Sequence, residues 1–237
     1  MTGDLRELLA RAVGDRPARR VVVGVNWVLV EGPDGTGLAH APPRDAPGCR
    51  PLASAGTLAG SGLGALAALW SSANPFEASI GLAAINAHFN RPDLAGEAVN
   101  GLDAAARIGR RPVVFGRFPG LDRIMPTARV VERHPGPDDH PLSDAPALVA
   151  ESDLVIATAS ALGNGTLGDI LAIARGTPVM LVGPSTPLAP VLFDHGIIQL
   201  AGMVIDDPAR AAQVVMEGGA VHALLGAGRN LTLAAAS

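Results

Sequence analysis

The chain has 237 residues, a formal net charge of -4 and 48% hydrophobic residues. This length is enough for one large domain or two small ones with a substantial core. The negative charge argues against nucleic acid or an acidic membrane surface as a partner. No apolar run is long enough to cross a bilayer, and the N-terminus lacks the layout of a signal peptide, so we expect a cytoplasmic protein.

The residue types that are missing exclude several kinds of chemistry. All 18 basic residues are arginine, and tyrosine is absent. Without lysine, the chain has no Walker lysine and no Schiff-base lysine for pyridoxal phosphate. The single Cys49 cannot form an internal disulfide or a multi-thiolate zinc site, and its proline-rich surroundings give no support for a nucleophilic role.

The first half of the chain contains a hairpin and several helices, which is typical of an α+β domain. Asn74, Pro75 and Glu77 open one helix as cap, first residue and third residue. On that helix Asn86 lies beside the apolar face, where it either borders a cleft or is a buried, hydrogen-bonded residue. The predicted elements are helices over 5–13, 75–88 and 94–108, strands over 20–30 and 37–41, a loop over 42–51, and closely packed small-residue helices within 53–70.

From Gly109 onward strands and helices alternate, which predicts a parallel sheet. We therefore expect an α/β protein with an α+β domain over 1–108 and a second domain with a mostly parallel sheet over 109–237. Its predicted strands are 113–115, 128–132, 153–157, 178–182 and 202–205, with helices beginning near Leu167 and Pro187, a helix over 208–217 and a weakly ordered tail over 229–237.

Two loops follow neighbouring strands of this sheet and are rich in hydroxyl and amide groups. In open α/β sheets ligands lie beyond such carboxyl ends of the strands. Thr166 with Asp169 fits a capping box, and Thr186 with Pro187 fits an N-cap, so both helix starts are candidate anion sites; the alternative is that these residues only cap helices. The loops contain Thr158, Ser160, Asn164 and Thr166 in one case and Ser185 and Thr186 in the other.

Glu132 ends the second predicted strand of the parallel sheet, and Gly116 follows the first. An acidic residue at that position holds ribose hydroxyls in nucleotide-binding α/β folds. A full dinucleotide fingerprint is not present, because the first turn has one glycine and the later GxGxxG at Gly163 is separated from its strand. The nearby HPGPDDHP segment, with His134, Asp138, Asp139 and His140, is either a small metal site or a solvated loop.

With these residues in place, the chain resembles the "putative heavy-metal chelation" family, a domain of unknown function with a Rossmann-like fold, and upstream its enolase N-terminal-like companion domain. The resemblance implies that the two domains meet at a cleft and that the ligand lies there. It implicates Asn86, Glu132, Thr158, Ser160, Asn164, Thr166, Ser185 and Thr186. The matching segments are GVNWVLV (24–30), NPFEASIGLAAINA (74–87), GRFPGLDRI (116–124), VVERHPG around Glu132, ATASALGNGTL (157–167) and LVGPSTPLAPVLFDHGI (181–197).

The functional expectation is binding of an anionic small molecule or a metal complex. Hydroxyls and amides suit an oxyanion, a phosphate or an organic chelate better than a bare soft metal ion. The alternative is an enzyme acting on a nucleoside- or phosphate-containing molecule, with Glu132 as ribose anchor or general base. A third hypothesis is metal sensing or storage through the loop from His134 to His140. The reaction type, a metal cofactor and a homo-oligomeric state stay open.

Overall fold

The structure is a computed structural model that describes residues 5–42 and 51–235. It is a mixed α/β protein with a small antiparallel sheet and a larger, mostly parallel sheet, which confirms the predicted fold class. The elements of the first part are α1 (Leu5–Arg11), β1 (Arg20–Val23), β2 (Trp27–Glu31), β3 (Thr36–His40), α2 (Leu63–Ala68), a 3-10 helix (Leu69–Ser71) and α3 (Pro75–Phe89).

The remaining elements build the larger sheet and the helices that follow its strands. No helix among the described residues is long and apolar enough to cross a membrane. In chain order the elements are α4 (Gly101–Ala106), β4 (Pro112–Phe115), α5 (Leu121–Ile124), β5 (Arg129–Glu132), β6 (His140–Pro141), a 3-10 helix (Leu142–Asp144), α6 (Ala145–Ala150), β7 (Leu154–Thr158), α7 (Ser160–Gly163), α8 (Leu167–Ile173), β8 (Val179–Val182), a 3-10 helix (Pro190–His195), β9 (Ile197–Ile205), α9 (Pro208–Met216), α10 (Val221–Leu224) and β10 (Gly228–Ala234).

The chain forms two compact units. The first contains the chain up to Ala95 together with Pro187–Ala189 and Met203–Asn230, and the second contains the rest. The predicted boundary at residue 109 stays a prediction; by contacts, the segment 96–108 groups with the second unit, because Leu102 and Ala105 of α4 join the core that Ile156 and Met180 of the larger sheet form.

Helix α3 is the centre of the first unit. Asn74 caps it by accepting a hydrogen bond from the Phe76 N–H at 3.0 Å, as predicted. Every residue from Ile80 to Ala87 is buried, because small residues allow close packing on several sides. A Cβ on Gly37 of β3 would lie 2.0 Å from the Ala83 carbonyl oxygen, so only glycine permits this contact between strand and helix.

The segment 20–30, predicted as one strand, is two strands joined by a turn. β1 and β2 pair antiparallel, with Val22 opposite Leu29. The turn is closed by the Gly24 N–H, which donates to the Trp27 carbonyl at 2.9 Å. A Cβ on Gly24 would lie 2.3 Å from the Val215 carbonyl oxygen, so the glycine has a packing role that an uninterrupted apolar run does not reveal.

Two further predictions of secondary structure were wrong. The helix predicted over 94–108 is shorter and consists of α4 alone. Asn100 caps its start by accepting a hydrogen bond from the Leu102 N–H, and the preceding Glu97 forms a backbone bridge with Thr232. The predicted tail over 229–237 contains β10, an edge strand of the larger sheet. Most of the predicted loop over 42–51, including Cys49, lies outside the described residues.

The larger sheet has the order β10-β9-β8-β7-β4-β5-β6. The pairs from β4 to β9 are parallel, for example Phe115 opposite Ala157 and Thr158 opposite Val182. The chain therefore adds strands on one side of β4 as far as β6, and then returns to place β7 on its other side. The order of strands reverses between β4 and β7, which is a topological switch point.

Candidate functional site: a cavity at the switch point

A cavity of about 320 Å³ lies in the second unit, at the carboxyl ends of β4, β5 and β7. This is the position where open α/β sheets bind ligands, because the loops leave the two neighbouring strands in opposite directions. Six of the nine predicted site residues line it. We call it the switch-point cavity; its lining is Phe115, Gly116, Arg117, Val131, Glu132, Arg133, Leu142, Thr158, Ser160, Ala161, Asn164, Thr166, Asp169, Ile170 and Ile173.

Gly116 allows the ends of β4 and β7 to approach each other at the floor of the cavity. Its φ is +96°, in the region that favours glycine, and its N–H donates to the Val131 carbonyl at 3.1 Å. A Cβ at this position would lie 2.5 Å from Cγ2 of Thr158. The Thr158 side chain therefore occupies the space that a larger residue at 116 would need.

Glu132 holds the turn that follows β4. Its Oε1 accepts a hydrogen bond from the Arg117 N–H at 2.8 Å, and its Oε2 accepts one from the Arg133 N–H at 3.3 Å. The carboxylate thus lines the cavity and also orders the two backbone segments beside it. A carboxylate has about four acceptor positions, so these two bonds leave acceptor capacity for a ligand.

Arg117 and Asp139 form an ion pair at the rim. The Nε of Arg117 donates to Asp139 Oδ1 at 3.2 Å, with a second contact from Nη2, while the Gly136 N–H donates to Asp139 Oδ2 at 2.9 Å. The hydrogen bond from Arg117, followed by that from Gly136, holds the pKa of Asp139 below its ordinary value. The same bond to Asp139 raises the pKa of Arg117. The pair ties the loop 133–139 to the turn after β4.

The predicted capping box at the start of α8 was wrong. Thr166 makes no side-chain cap, and its backbone is helical rather than extended. Instead, Asn164 Oδ1 accepts from the Thr166 N–H at 3.1 Å and from the Thr166 hydroxyl at 2.7 Å. The side-chain oxygen of Asn164, two residues before Thr166, therefore accepts the hydrogen bond from the Thr166 N–H that the Asp169 carboxylate was expected to accept.

The second predicted helix tip was also wrong. Thr186 does not cap a helix; its N–H closes a turn on the Gly183 carbonyl at 2.9 Å, and the next helix is a 3-10 helix from Pro190. Pro190 disfavours helical backbone at Ala189, so a helix begun at Pro187 would be interrupted within its first turn. Ser185 and Thr186 are 1% and 0% exposed and do not belong to the lining of the switch-point cavity.

Asn86 is likewise absent from the lining of the switch-point cavity. It is 0% exposed, and its side-chain amide donates to the Leu38 carbonyl at 2.6 Å, which joins α3 to β3. This is the buried, hydrogen-bonded alternative. The expectation of a ligand in a cleft between the two domains stays a prediction.

Sequence comparison assigns both halves of the chain. The profile of the DUF364 family matches residues 102–233, and that of DUF4213 matches residues 5–89; both are described as "Putative heavy-metal chelation". The chain belongs to this family. Among proteins with curated descriptions, none matches it closely enough to count as a relative.

Two solved structures of the DUF364 family are similar to this chain. A protein of unknown function from Desulfitobacterium hafniense is 29% identical over 97% of both chains, with a TM-score of 0.86. A second protein of unknown function, from Pyrococcus horikoshii, is 21% identical over 98% of both chains, with a TM-score of 0.80. The second likeness concerns the fold alone.

The family description raises the question of whether the residues here fit a heavy-metal ion. Within residues 5–42 and 51–235, no three His, Cys, Asp or Glu side chains gather in a way that could hold one. In the HPGPDDHP segment, Asp139 is engaged by Arg117, and His140 lies 3.7 Å from the Asp144 carboxylate. The lining of the switch-point cavity has hydroxyls, an amide, two arginines and two carboxylates, a donor set that does not suit a soft metal ion.

Sequence reasoning missed four members of the cavity that shape its chemistry. Arg117 and Arg133 directly follow residues that were singled out, and Asp169 was assigned only to capping. The signal was their position next to Gly116 and Glu132, since side chains at successive strand ends reach a common edge. Leu142 comes from a separate 3-10 helix, and no local pattern points to it.

Proposed function

We propose that this protein binds a small organic anion in the switch-point cavity, including a metal held as an organic complex. The observation that carries the proposal is the convergence of three hydroxyls, one amide and two arginines on one cavity at the carboxyl edge of the parallel sheet. Hydroxyl and guanidinium groups donate hydrogen bonds to oxyanions, and those from arginine are charge-assisted.

The rest of the lining supports an organic ligand over a bare ion. Leu142, Ile170 and Ile173 give the cavity an apolar wall that a hydrocarbon part of the ligand can contact. A volume of about 320 Å³ lies at the lower end of the range for small-molecule sites. The net charge of -4 supports a small ligand over nucleic acid. The cytoplasmic location and a homo-oligomeric state stay predictions.

A thermal-shift experiment tests the proposal. Adenosine monophosphate, citrate and the nickel–EDTA complex serve as probes of a phosphate, a polycarboxylate and a metal complex. We expect at least one to raise the melting temperature by several degrees, because a ligand at 100 times its Kd stabilises the folded state by about 2.7 kcal/mol.

Two variants locate the binding. The double substitution Thr158→Val and Ser160→Ala removes two cavity hydroxyls and should abolish the rise in melting temperature. Thr127→Val is the matched control, since that exposed threonine lies outside the cavity lining and donates to the Arg110 carbonyl at 2.8 Å. No shift with any probe, or an equal shift in the double variant, would contradict the proposal.

A second candidate is an enzyme acting on a nucleoside-containing molecule, and Glu132 favours it. The parallel strands have the order found in doubly wound dinucleotide-binding sheets, which supports the Rossmann-like reading; the enolase-like reading of the first unit stays a proposal beside it. In that order Glu132 ends the second strand, where an acidic residue accepts from ribose hydroxyls.

Matched nucleosides test this second candidate. Adenosine should bind more tightly than 2′-deoxyadenosine to the wild-type protein, by about tenfold, since a hydrogen bond to a charged group is lost. Glu132→Gln should remove most of that difference. Equal affinity for the two nucleosides in the wild type would exclude the ribose anchor.

A further inference from the structure

The charges in the switch-point cavity divide into two that the protein itself engages and two that it does not. Glu132 accepts two backbone hydrogen bonds, and Arg117 is paired with Asp139 and lies 3.5 Å from Asp122. The other two charged side chains in the lining are Arg133 and Asp169. Both are solvent-exposed, and within the part of the chain that the structure describes neither makes a side-chain hydrogen bond or an ion pair.

These two charges have opposite sign and come from different elements. Arg133 directly follows β5, and Asp169 lies in the first turn of α8. The end of β4 and the loop after β7 contribute other residues of the cavity lining. The two side chains do not pair with each other. A negative residue in a first helical turn is favourable for the helix, but that interaction leaves its carboxylate oxygens available.

We propose that the ligand of the switch-point cavity is a zwitterion, a molecule that carries an acid group and a protonated amine. This proposal rests on the proposed function, because it assigns the ligand class of the same cavity. Arg133 binds the carboxylate or phosphate group of the ligand, and Asp169 binds the ammonium group. The hydroxyls of Thr158, Ser160 and Thr166 donate to or accept from its uncharged polar atoms.

Charge complementarity selects this class over its competitors. A ligand with acid groups alone would bring negative charge to a cavity that also contains Asp169, and a purely cationic ligand would meet Arg133. Like charges brought together at a binding site discriminate against the wrong partner. Both side chains are solvent-exposed, so a zwitterion replaces water beside each of them with a group of opposite charge.

A binding screen with three classes of compound of matched size tests the proposal. The set Ala-Ala-Ala, N-acetyl-Ala-Ala-Ala and Ala-Ala-Ala-amide presents a zwitterion, an anion and a cation on one skeleton. Free amino acids extend the zwitterion class, citrate and adenosine monophosphate extend the anion class, and putrescine extends the cation class. We expect zwitterions to bind about tenfold more tightly than their acetylated or amidated forms, and pure anions to bind measurably but more weakly.

The variants Asp169→Asn and Arg133→Gln separate the two contacts. Asp169→Asn should lower the affinity for zwitterions about tenfold and leave the affinity for the acetylated analogues unchanged or higher. Arg133→Gln should lower the affinity for zwitterions and for anions alike. Asp103→Asn and Arg123→Gln are controls, because both residues are exposed and lie outside the cavity lining. These two control substitutions should leave the affinities for zwitterions and for anions unchanged.

Each outcome decides between the proposals. If pure anions bind best and Asp169→Asn tightens them, the zwitterion assignment is overturned while the anion-binding function stands. If compounds of no class bind and the nickel–EDTA complex also causes no thermal shift, both are overturned. If zwitterions bind and the two cavity variants behave as their controls do, the ligand lies elsewhere and the assignment to Arg133 and Asp169 is wrong.

Discussion

At Gly116 the backbone has a φ of +96° and lies against the side chain of Thr158. The approach joins two strand ends that are far apart in sequence, and it fixes the floor of the switch-point cavity. The sequence places a glycine after a strand here, but its role depends on Thr158, a neighbour that only the strand order reveals.

Gly116→Ala should destabilise the protein by about 2 kcal/mol or more, because positive φ strains alanine and the new Cβ would lie too close to Thr158. Urea denaturation measures the change. Gly163→Ala is the control: this glycine is at the end of α7 with open space around it, and alanine should be neutral or slightly stabilising. Equal effects of the two substitutions would contradict the close approach.

The pKa of Asp139 gives a second prediction for a single residue. It is lower in the folded protein than in the unfolded chain, so the ion pair with Arg117 stabilises the fold above the ordinary aspartate value and this stabilisation is lost as pH falls. The difference in unfolding free energy between the wild type and Asp139→Asn should therefore shrink between about pH 6 and about pH 3. Asp138→Asn, its exposed neighbour, is the control. A difference that is constant across that range would contradict the account.

At the level of elements, helix α8 shows how local patterns give the helix but not its cap. The apolar spacing of Leu167 and Ile170 predicts the helix, and both residues are buried as expected. The cap was misassigned because Thr166 and Asp169 fit a capping box in sequence, whereas Asn164 forms the bonds in the structure. Both arrangements have the residues they need, and the backbone conformation of Thr166 decides between them.

Asn164→Ala should therefore destabilise the fold by about 1 kcal/mol, the usual effect of losing a cap, because the Thr166 N–H and hydroxyl both lose their acceptor. Asp169→Ala should cost less, about 0.3–1 kcal/mol, since it removes only a favourable charge near the start of the helix. Thermal and urea unfolding of the two variants give the comparison. A larger loss of unfolding free energy for Asp169→Ala than for Asn164→Ala would support the capping box predicted from the sequence.

At the scale of the whole molecule, the α/β class and the parallel strands could be predicted, because the alternation of strands and helices is visible in local sequence patterns. Which compact unit the later segments join could not be predicted. Met203–Asn230 contributes to the first unit, where Met203 and Val215 join the core around Trp27 and Leu29. These contacts bring together residues far apart in sequence, and no local period reports them.

Asn90 holds part of that arrangement within the first unit. It is fully buried, donates to the Met203 carbonyl at 3.1 Å and accepts from the Leu188 N–H at 2.8 Å. Asn90→Ala should destabilise the protein by about 2–4 kcal/mol, since two buried backbone groups lose their partner. The free energy of unfolding from urea titration checks this value. A loss below about 0.5 kcal/mol would mean that water or a rearranged segment replaces the side chain.

A crystal structure of the complex with the probe that raises the melting temperature most would show where the ligand binds. We expect ligand density in the switch-point cavity, with a polar ligand atom within hydrogen-bonding distance of Thr158 or Ser160 and an acid group beside Arg133. Density for the same probe at another place, with this cavity holding only solvent, would contradict this expectation.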